Sequence, residues 1–504
     1  MESAMSRTTP RRLVLALVAL NAVTLFVGAS LATTTSPATV DRGSYAALHG
    51  RHPLAPAAAT AAPPLTLTTP QAPCAAGARP EATQGRVPSA DFTSGRAQQG
   101  YTCNIQQIGH YGLTGGFRVA RYVDHAGHEC AFYDSSLVFP KDIYRAQTGT
   151  YVMDMSDPAH PVRTAVLATA AMQTPHESLR LNEARGLLVA TTGSPAFQVG
   201  ILDVYDVSQD CRHPELQSTL PMSLLGHESG FSPDGLTFWA SVTQTGGLTA
   251  IDLTNPALPH IVWTSPTWIV HGLSLSADGT RAYLAALTAD TELRGGSGLT
   301  ILDVAQVQHR VPNPVVTQIS TLTWPEASIP QNVLPVTIHG HSYAIEFDEY
   351  DSSVFHYSPT NTVGGIHIID LADEAHPRLV SRIRLAVWNE TARAGDQMND
   401  PGAQRVGQGY AAHYCSVPRL VEPSLLACSA IASGLRLFDI NDPLKPREVG
   451  YFNKPPVGGI DPSELGSYAM SSPAFVPSRR EIWFTDTNTG FYSVRVDAKA
   501  WTLR

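Results

Sequence analysis

Short runs in which apolar residues dominate or alternate with polar ones recur along the chain from Gly149 onward, each opened by glycine and closed by aspartate. Seven copies can be read, among them GTYVMDMSDPAHP (149–161), GLTAIDLTNPALP (247–259), GIHIIDLADEAHP (365–377) and GLRLFDINDPLKP (434–446), with others at 200–214 and 298–314 and a worn one at 490–497. Each has strand length, is rich in β-branched, Leu or aromatic residues, and lacks a helical period. The Asp-Pro or Asn-Pro that follows, as at Asp442-Pro443, ends the strand, because proline removes a ladder donor and pre-sets a turn. Upstream lie hairpin turns such as Asp234-Gly235 and Asp278-Gly279. The unit is therefore four strands with variable loops, recurring at about 45 to 70 residues, and units that cannot bury their own faces must stack into a closed array. The pattern predicts an all-β chain, a seven-bladed β-propeller of four-stranded blades.

After Val496-Asp497 too few residues remain to make an outer strand for the last blade, whereas Cys103–Tyr111 has strand character. That segment is expected to supply the missing strand, so that an N-terminal strand closes the ring. The strands GLTILDV (298–304) and GIHIIDL (365–371) resemble those of the LVIVD-repeat proteins, a likeness that covers roughly residues 100–504. The resemblance implies an exported β-propeller and no single activity. The last copy departs from it, with Arg495 in place of the strand aspartate.

The chain opens differently. Arg11-Arg12, the apolar run 13–28 and the small-residue site Ser30-Leu31-Ala32 read as a secretory signal over 1–32. Residues 33–98, rich in Ala, Pro and Thr, read as a disordered linker, leaving 99–504 for the propeller. A secreted or cell-surface location follows, with membrane attachment only if the signal segment stays uncleaved. A formal charge of −9 without a basic run argues against nucleic acid as a partner. Six cysteines in an exported chain are expected to be bridged. Cys415 with Cys428 flanks a hairpin turn, and Cys103 with Cys130 is the favoured pairing among the other four.

Aligning the inner strands on their turns gives the sharpest chemical signal. His227 lies seven residues before Asp234, His271 seven before Asp278 and His176 seven before Glu183, and His413 heads its hairpin in a similar place. The same register puts Asn332 there in the next blade. Inner strands line a propeller's central channel, so these residues should converge at its mouth. Four imidazoles with the neighbouring Glu177 and Glu228 make a candidate site for a transition metal such as Cu or Zn. Ca²⁺, which wants oxygen ligands, fits less well, although Asp348, Glu349 and Asp351 offer some. Histidines repeated in every blade are also what a purely structural cap would produce.

Three functions from different classes fit this pattern, the third being a propeller hydrolase or lactonase with Ca²⁺ or another metal at the channel, for which the inner-strand heads offer mainly nitrogen donors. One is an exported propeller with a metal or small-molecule site at the channel mouth, and so a candidate metalloenzyme. The alternative is a non-catalytic cell-surface module that recognises protein or glycan through loop-face aromatics such as Trp324, Trp388, Tyr410 and Tyr468. Long insertions at 324–331, 388–412 and 453–470 should stand above the same mouth as a lid. A monomer is expected. Gly-x-Ser-x-Gly, P-loop and His-Glu-x-x-His motifs do not occur.

Overall fold

The computed structural model describes residues 68–135, 147–193, 200–222, 226–242, 246–287, 298–324, 329–349, 363, 365–389, 395–404, 409–458 and 465–503. The expected signal segment and the linker as far as residue 67 lie outside them. Seven antiparallel sheets form, one per blade, so the fold is the seven-bladed β-propeller expected from the repeats. Blade one comprises Val119–Val123, Glu129–Ser135, Gly149–Asp154 and Val162–Leu167. Blades two to five begin with Arg180–Asn182, Ser229–Phe231, Ile269–Leu275 and Pro330–Ile338. Blade six runs from Cys415–Ser416 to Arg447–Asn453, and blade seven from Ala474–Val476 to Gly490–Val496.

The repeat's aspartate and glycine each have a local cause. Asp154, Asp206, Asp252, Asp303, Asp370 and Asp439 end third strands, and each Oδ1 accepts the backbone N–H two residues on at 2.7–3.0 Å. That bond closes the turn into the fourth strand. In blade seven Arg495 instead reaches across to Glu481 at 2.8 Å. The glycine that opens the third strand admits a carbonyl of the fourth: a Cβ on Gly298 would sit 2.0 Å from the Leu322 oxygen. Neighbouring blades bury their faces against one another, as where Val189 and Val204 of blade two meet Phe238 and Ile251 of blade three.

The N-terminal strand character is real but divided. At Asn104, with φ of +55°, the chain passes from one blade to the next. Tyr101–Cys103 pairs with Arg447–Asn453 as a fifth strand of blade six, and Ile105–Tyr111 pairs with Gly490–Val496 as the fourth strand of blade seven.

The linker boundary at 98 requires correction. Thr69 and Ala72 donate backbone hydrogen bonds to Arg384 and Glu448, Glu81 grips the buried Arg436 guanidinium with both oxygens at 2.7 Å, and Val87 and Ala97 are buried. Residues 68–98 are therefore an ordered arm on blade six. Composition hides this because the arm is held by backbone pairing, an ion pair and a disulfide, none of which leaves a hydrophobic period.

Cys415–Cys428 is bridged across its hairpin as expected. The other pairs are Cys74–Cys103 and Cys130–Cys211, not Cys103–Cys130. Cys103 stands on blade six and Cys130 on blade one, with blade seven between them. Three disulfides fit an oxidising, extracytoplasmic environment. Among the described residues no helix is long and apolar enough to cross a membrane.

Candidate metal centre

The four histidines singled out by register do converge. Their rings, with Phe117 of blade one, follow the blades around the axis: Phe117 to His176 is 4.3 Å between centroids, His176 to His227 4.3 Å and His227 to His271 4.7 Å. His413, from blade six, lies 5.8 Å from Phe117 on the other side.

The Glu177 carboxylate occupies the middle of this ring. Its Oε2 lies 3.2 Å from His227 Nε2, 3.6 Å from His271 Nε2 and 3.8 Å from His176 Nδ1, while Oε1 lies 3.3 Å from His413 Nε2. Glu349 adds a second carboxylate, 3.5 Å from His271 Nε2 and 3.6 Å from His413 Nε2. Both Glu177 oxygens, both His227 nitrogens, His176 Nδ1 and His413 Nε2 are buried without a hydrogen-bond partner. Buried polar atoms are almost always satisfied, so such a concentration of orphans makes this place a candidate site for a water or an ion. Donors on a tetrahedral ion with bonds of about 2.0–2.1 Å stand about 3.3 Å apart, the range of the two shortest contacts here.

The imidazoles are aimed by their far nitrogens. His271 Nδ1 donates to the Pro330 carbonyl at 3.0 Å, and His413 Nδ1 donates to the Met470 carbonyl. Each bond fixes the tautomer that leaves Nε2 as a lone-pair donor toward the hub, which is how metal-ligating histidines are usually held. Backbone bridges lock the ring further, with Ser241 Oγ donating to the His271 carbonyl at 2.9 Å. His176 sits at φ of +50°, a strained backbone for a non-glycine residue and one that persists only where its surroundings impose it.

Electrostatics divides the ring. Burial, reinforced by His227, holds His176 well below the ordinary imidazole value, and burial also lowers His271. Burial opposes the charge on His227 and His413 too, but Glu177 outweighs it in both, and with Glu349 raises His413 to about 9. Burial pushes the Glu177 carboxyl upward, yet the surrounding histidines hold it well below the usual carboxylate range.

Glu228, which the sequence offered with Glu177 as a ligand or a supporting carboxylate, lies against two arginines and Asn332. Its Oε1 accepts from Arg118, from Arg180 at 2.5 Å and from Asn332 Nδ2. Gly272 makes room for it, since a Cβ there would lie 1.7 Å from Glu228 Oε2. Asn332 belongs to this second layer too, not to the histidine ring, because a register shift between Pro330 and Asn332 moves it. Glu349, which sequence offered only for calcium, joins the histidines. Its place at the end of the second strand of blade five, on the rim facing the mouth, was the available signal.

Other candidates separate from the hub. His367, Glu346 and Asp348 cluster within blade five, with His367 Nδ1 2.7 Å from Glu346. Asp124 and His128 of the first hairpin turn of blade one meet Asp210 of blade two, and Asp124 also accepts the Cys211 N–H at 2.8 Å. Asp351 and parts of all three long insertions lie outside the described residues. Trp324, Trp388 and Tyr410 are buried, not displayed on a loop face, and Tyr468 packs partly against the same core. Their hydrophobicity is spent on packing between blades.

No protein-family model matches the chain, and no curated protein does. Among solved structures it is similar to the periplasmic gluconolactonase of Pseudomonas aeruginosa, at 14% identity and a TM-score of 0.46 over 69% of this chain and 92% of that one. It is also similar to hydrazine synthase of Kuenenia stuttgartiensis, at 12% identity and a TM-score of 0.49 over 77% and 97%. Likeness at this level carries no functional argument.

Proposed function

We propose that this chain is an exported propeller of LVIVD-repeat type whose hub binds a transition-metal ion, Zn or Cu by the character of its donors. The observation that supports this reading is the set of buried His176, His227 and His413 nitrogens and Glu177 oxygens facing one another at 3.2–3.8 Å with no hydrogen-bond partners. Nitrogen-rich sites with one or two carboxylates suit Zn and Cu, while Ca²⁺ would need six or more oxygens. His227, His271, His413 and Glu177 are the proposed ligands, with Glu349 and His176 completing or adjusting the set. A bound ion would polarise a substrate oxygen or lower the pKa of a bound water, and Cu would add electron transfer. The binding-module alternative is weakened by the burial of its proposed tryptophan anchors.

Metal content of the chain purified without chelator or histidine tag, beside a His227→Ala/His413→Ala variant, tests this. Near-stoichiometric Zn or Cu in the parent and its loss in the folded variant is the expected result. A parent that is metal-free and takes up neither ion on titration overturns it.

A further inference from the structure

We propose that the central channel, one layer below the histidine hub, holds a second site, for a small oxyanion. First-strand residues of blades one, two and seven, with the segment after the first strand of blade six, line a half-open pocket of about 250 Å³ there. Three of its lining residues are the arginines Arg118, Arg121 and Arg180, against one lining carboxylate, Glu183.

The deep end is built for planar recognition. Arg118 lies 3.9 Å from the Tyr414 ring centroid and donates Nε to the Glu177 carbonyl at 3.1 Å. Arg180 donates Nε to the Ser229 carbonyl at 2.8 Å. Each also gives Nη2 to the same oxygen of Glu228. These bonds fix both guanidinium planes while using only part of the five donors each carries.

Charge is unbalanced at this end. Two guanidiniums share one carboxylate, that of Glu228. Farther out, Arg121 is held by Glu129 at 2.6 Å, and Glu183 lies in the turn at the channel's outer end, so neither fills the deficit. The arginine fork matches carboxylate, phosphate and sulfate alike. The volume is below the usual range of organic-ligand pockets, about 300–1,000 Å³, and so selects a ligand of few atoms.

This site stands independently of the metal reading, and its test uses chelator-treated protein. Sodium sulfate, phosphate and acetate are titrated calorimetrically into the full chain at fixed ionic strength, with sodium chloride as reference. Saturable binding to one site is expected, weakened at least tenfold by Arg180→Gln and severalfold by Arg180→Lys, which keeps the charge and loses the fork. Preference for sulfate and phosphate identifies a tetrahedral oxyanion, and preference for acetate a carboxylate. Heat indistinguishable from chloride for all three, or unchanged affinity in a folded Arg180→Gln chain, overturns the proposal. Should that variant fail to fold, Arg180→Lys decides: parental affinity in it also overturns the proposal.

Discussion

Glu177 of blade two and His413 of blade six meet across the channel, with Oε1 3.3 Å from Nε2, though 236 residues separate them in sequence (413 − 177). Neither is exposed, and Glu349 approaches the same nitrogen at 3.6 Å. The contact links the two halves of the hub and fixes how the metal-free protein should respond to pH.

In chelator-treated protein, His413 is raised to about 9 because Glu177 and Glu349 outweigh the burial that opposes its charge. A group raised above its unfolded value, about 6.5 for histidine, contributes stability that is complete below that value and lost as pH climbs through 9. His176 and His271 are depressed by burial, so their contribution is present above about 6.5 and lost below it. Stability measured by urea unfolding should therefore fall on both sides of about pH 6.5, with no group adding more than roughly 1.4 kcal/mol per pH unit. His413→Gln should shrink the alkaline side alone, leaving the part that His227, also raised by Glu177, contributes. An alkaline limb undiminished in this variant would assign it to other groups.

Gly272 tests the second layer. A methyl there would lie 1.7 Å from Glu228 Oε2 and 2.2 Å from the Gln331 carbonyl oxygen, and the backbone oxygen cannot swing aside. Gly272→Ala should cost about 3 kcal/mol, the upper end of ordinary overpacking. Gly458→Ala, where nothing lies within 4 Å, serves as the control and should change stability by less than about 0.5 kcal/mol. Equal melting shifts for the two would show that Glu228 is not locked in place.

The elements legible in sequence were those with a period. Third strands announced themselves through the glycine and aspartate whose bonds they need, and the hub histidines through a fixed offset from a turn. For Glu228 the sequence left open a direct ligand or a supporting carboxylate, because adjacency to a histidine says nothing about which layer a side chain enters. That choice depends on Arg118 and Arg180 from neighbouring blades. Asn332 was displaced by a bulge, which alternation cannot reveal. The burial of Trp324 and Trp388 depends on how blades pack, and an aromatic residue in a loop reads alike whether it points in or out.

The disulfides should differ in worth. Cys130–Cys211 joins blade one to the turn after the third strand of blade two across a separation of 81 residues, while Cys415–Cys428 spans 13 within one hairpin. Loop-closure entropy assigns roughly 4.5 kcal/mol to the first and roughly 3 to the second. Cys130→Ser/Cys211→Ser should accordingly lower the urea midpoint more than Cys415→Ser/Cys428→Ser. The reverse order would mean that the interface between blades one and two holds as firmly without its staple.

The arm of residues 68–98 offers the clearest test of the revised boundary. Arg436 is fully buried and balanced by Glu81 on the arm and by Glu448, at 3.1 Å, on blade six. Removing one partner of a buried pair leaves charge uncompensated, and with Glu448 still present the cost of Glu81→Ala should fall near the low end of the usual range, about 3 kcal/mol. Arg436→Met added to Glu81→Ala removes the stranded cation, so the double variant should recover much of that loss, although Glu448 is then left to be compensated by Gln71 and Gln84, which donate to it at 2.6 and 2.7 Å. A chain beginning at Gly100 has lost the arm altogether and should melt lower than Glu81→Ala alone. If it instead melts with the parent, the arm is a passenger on blade six and the propeller begins where composition placed it.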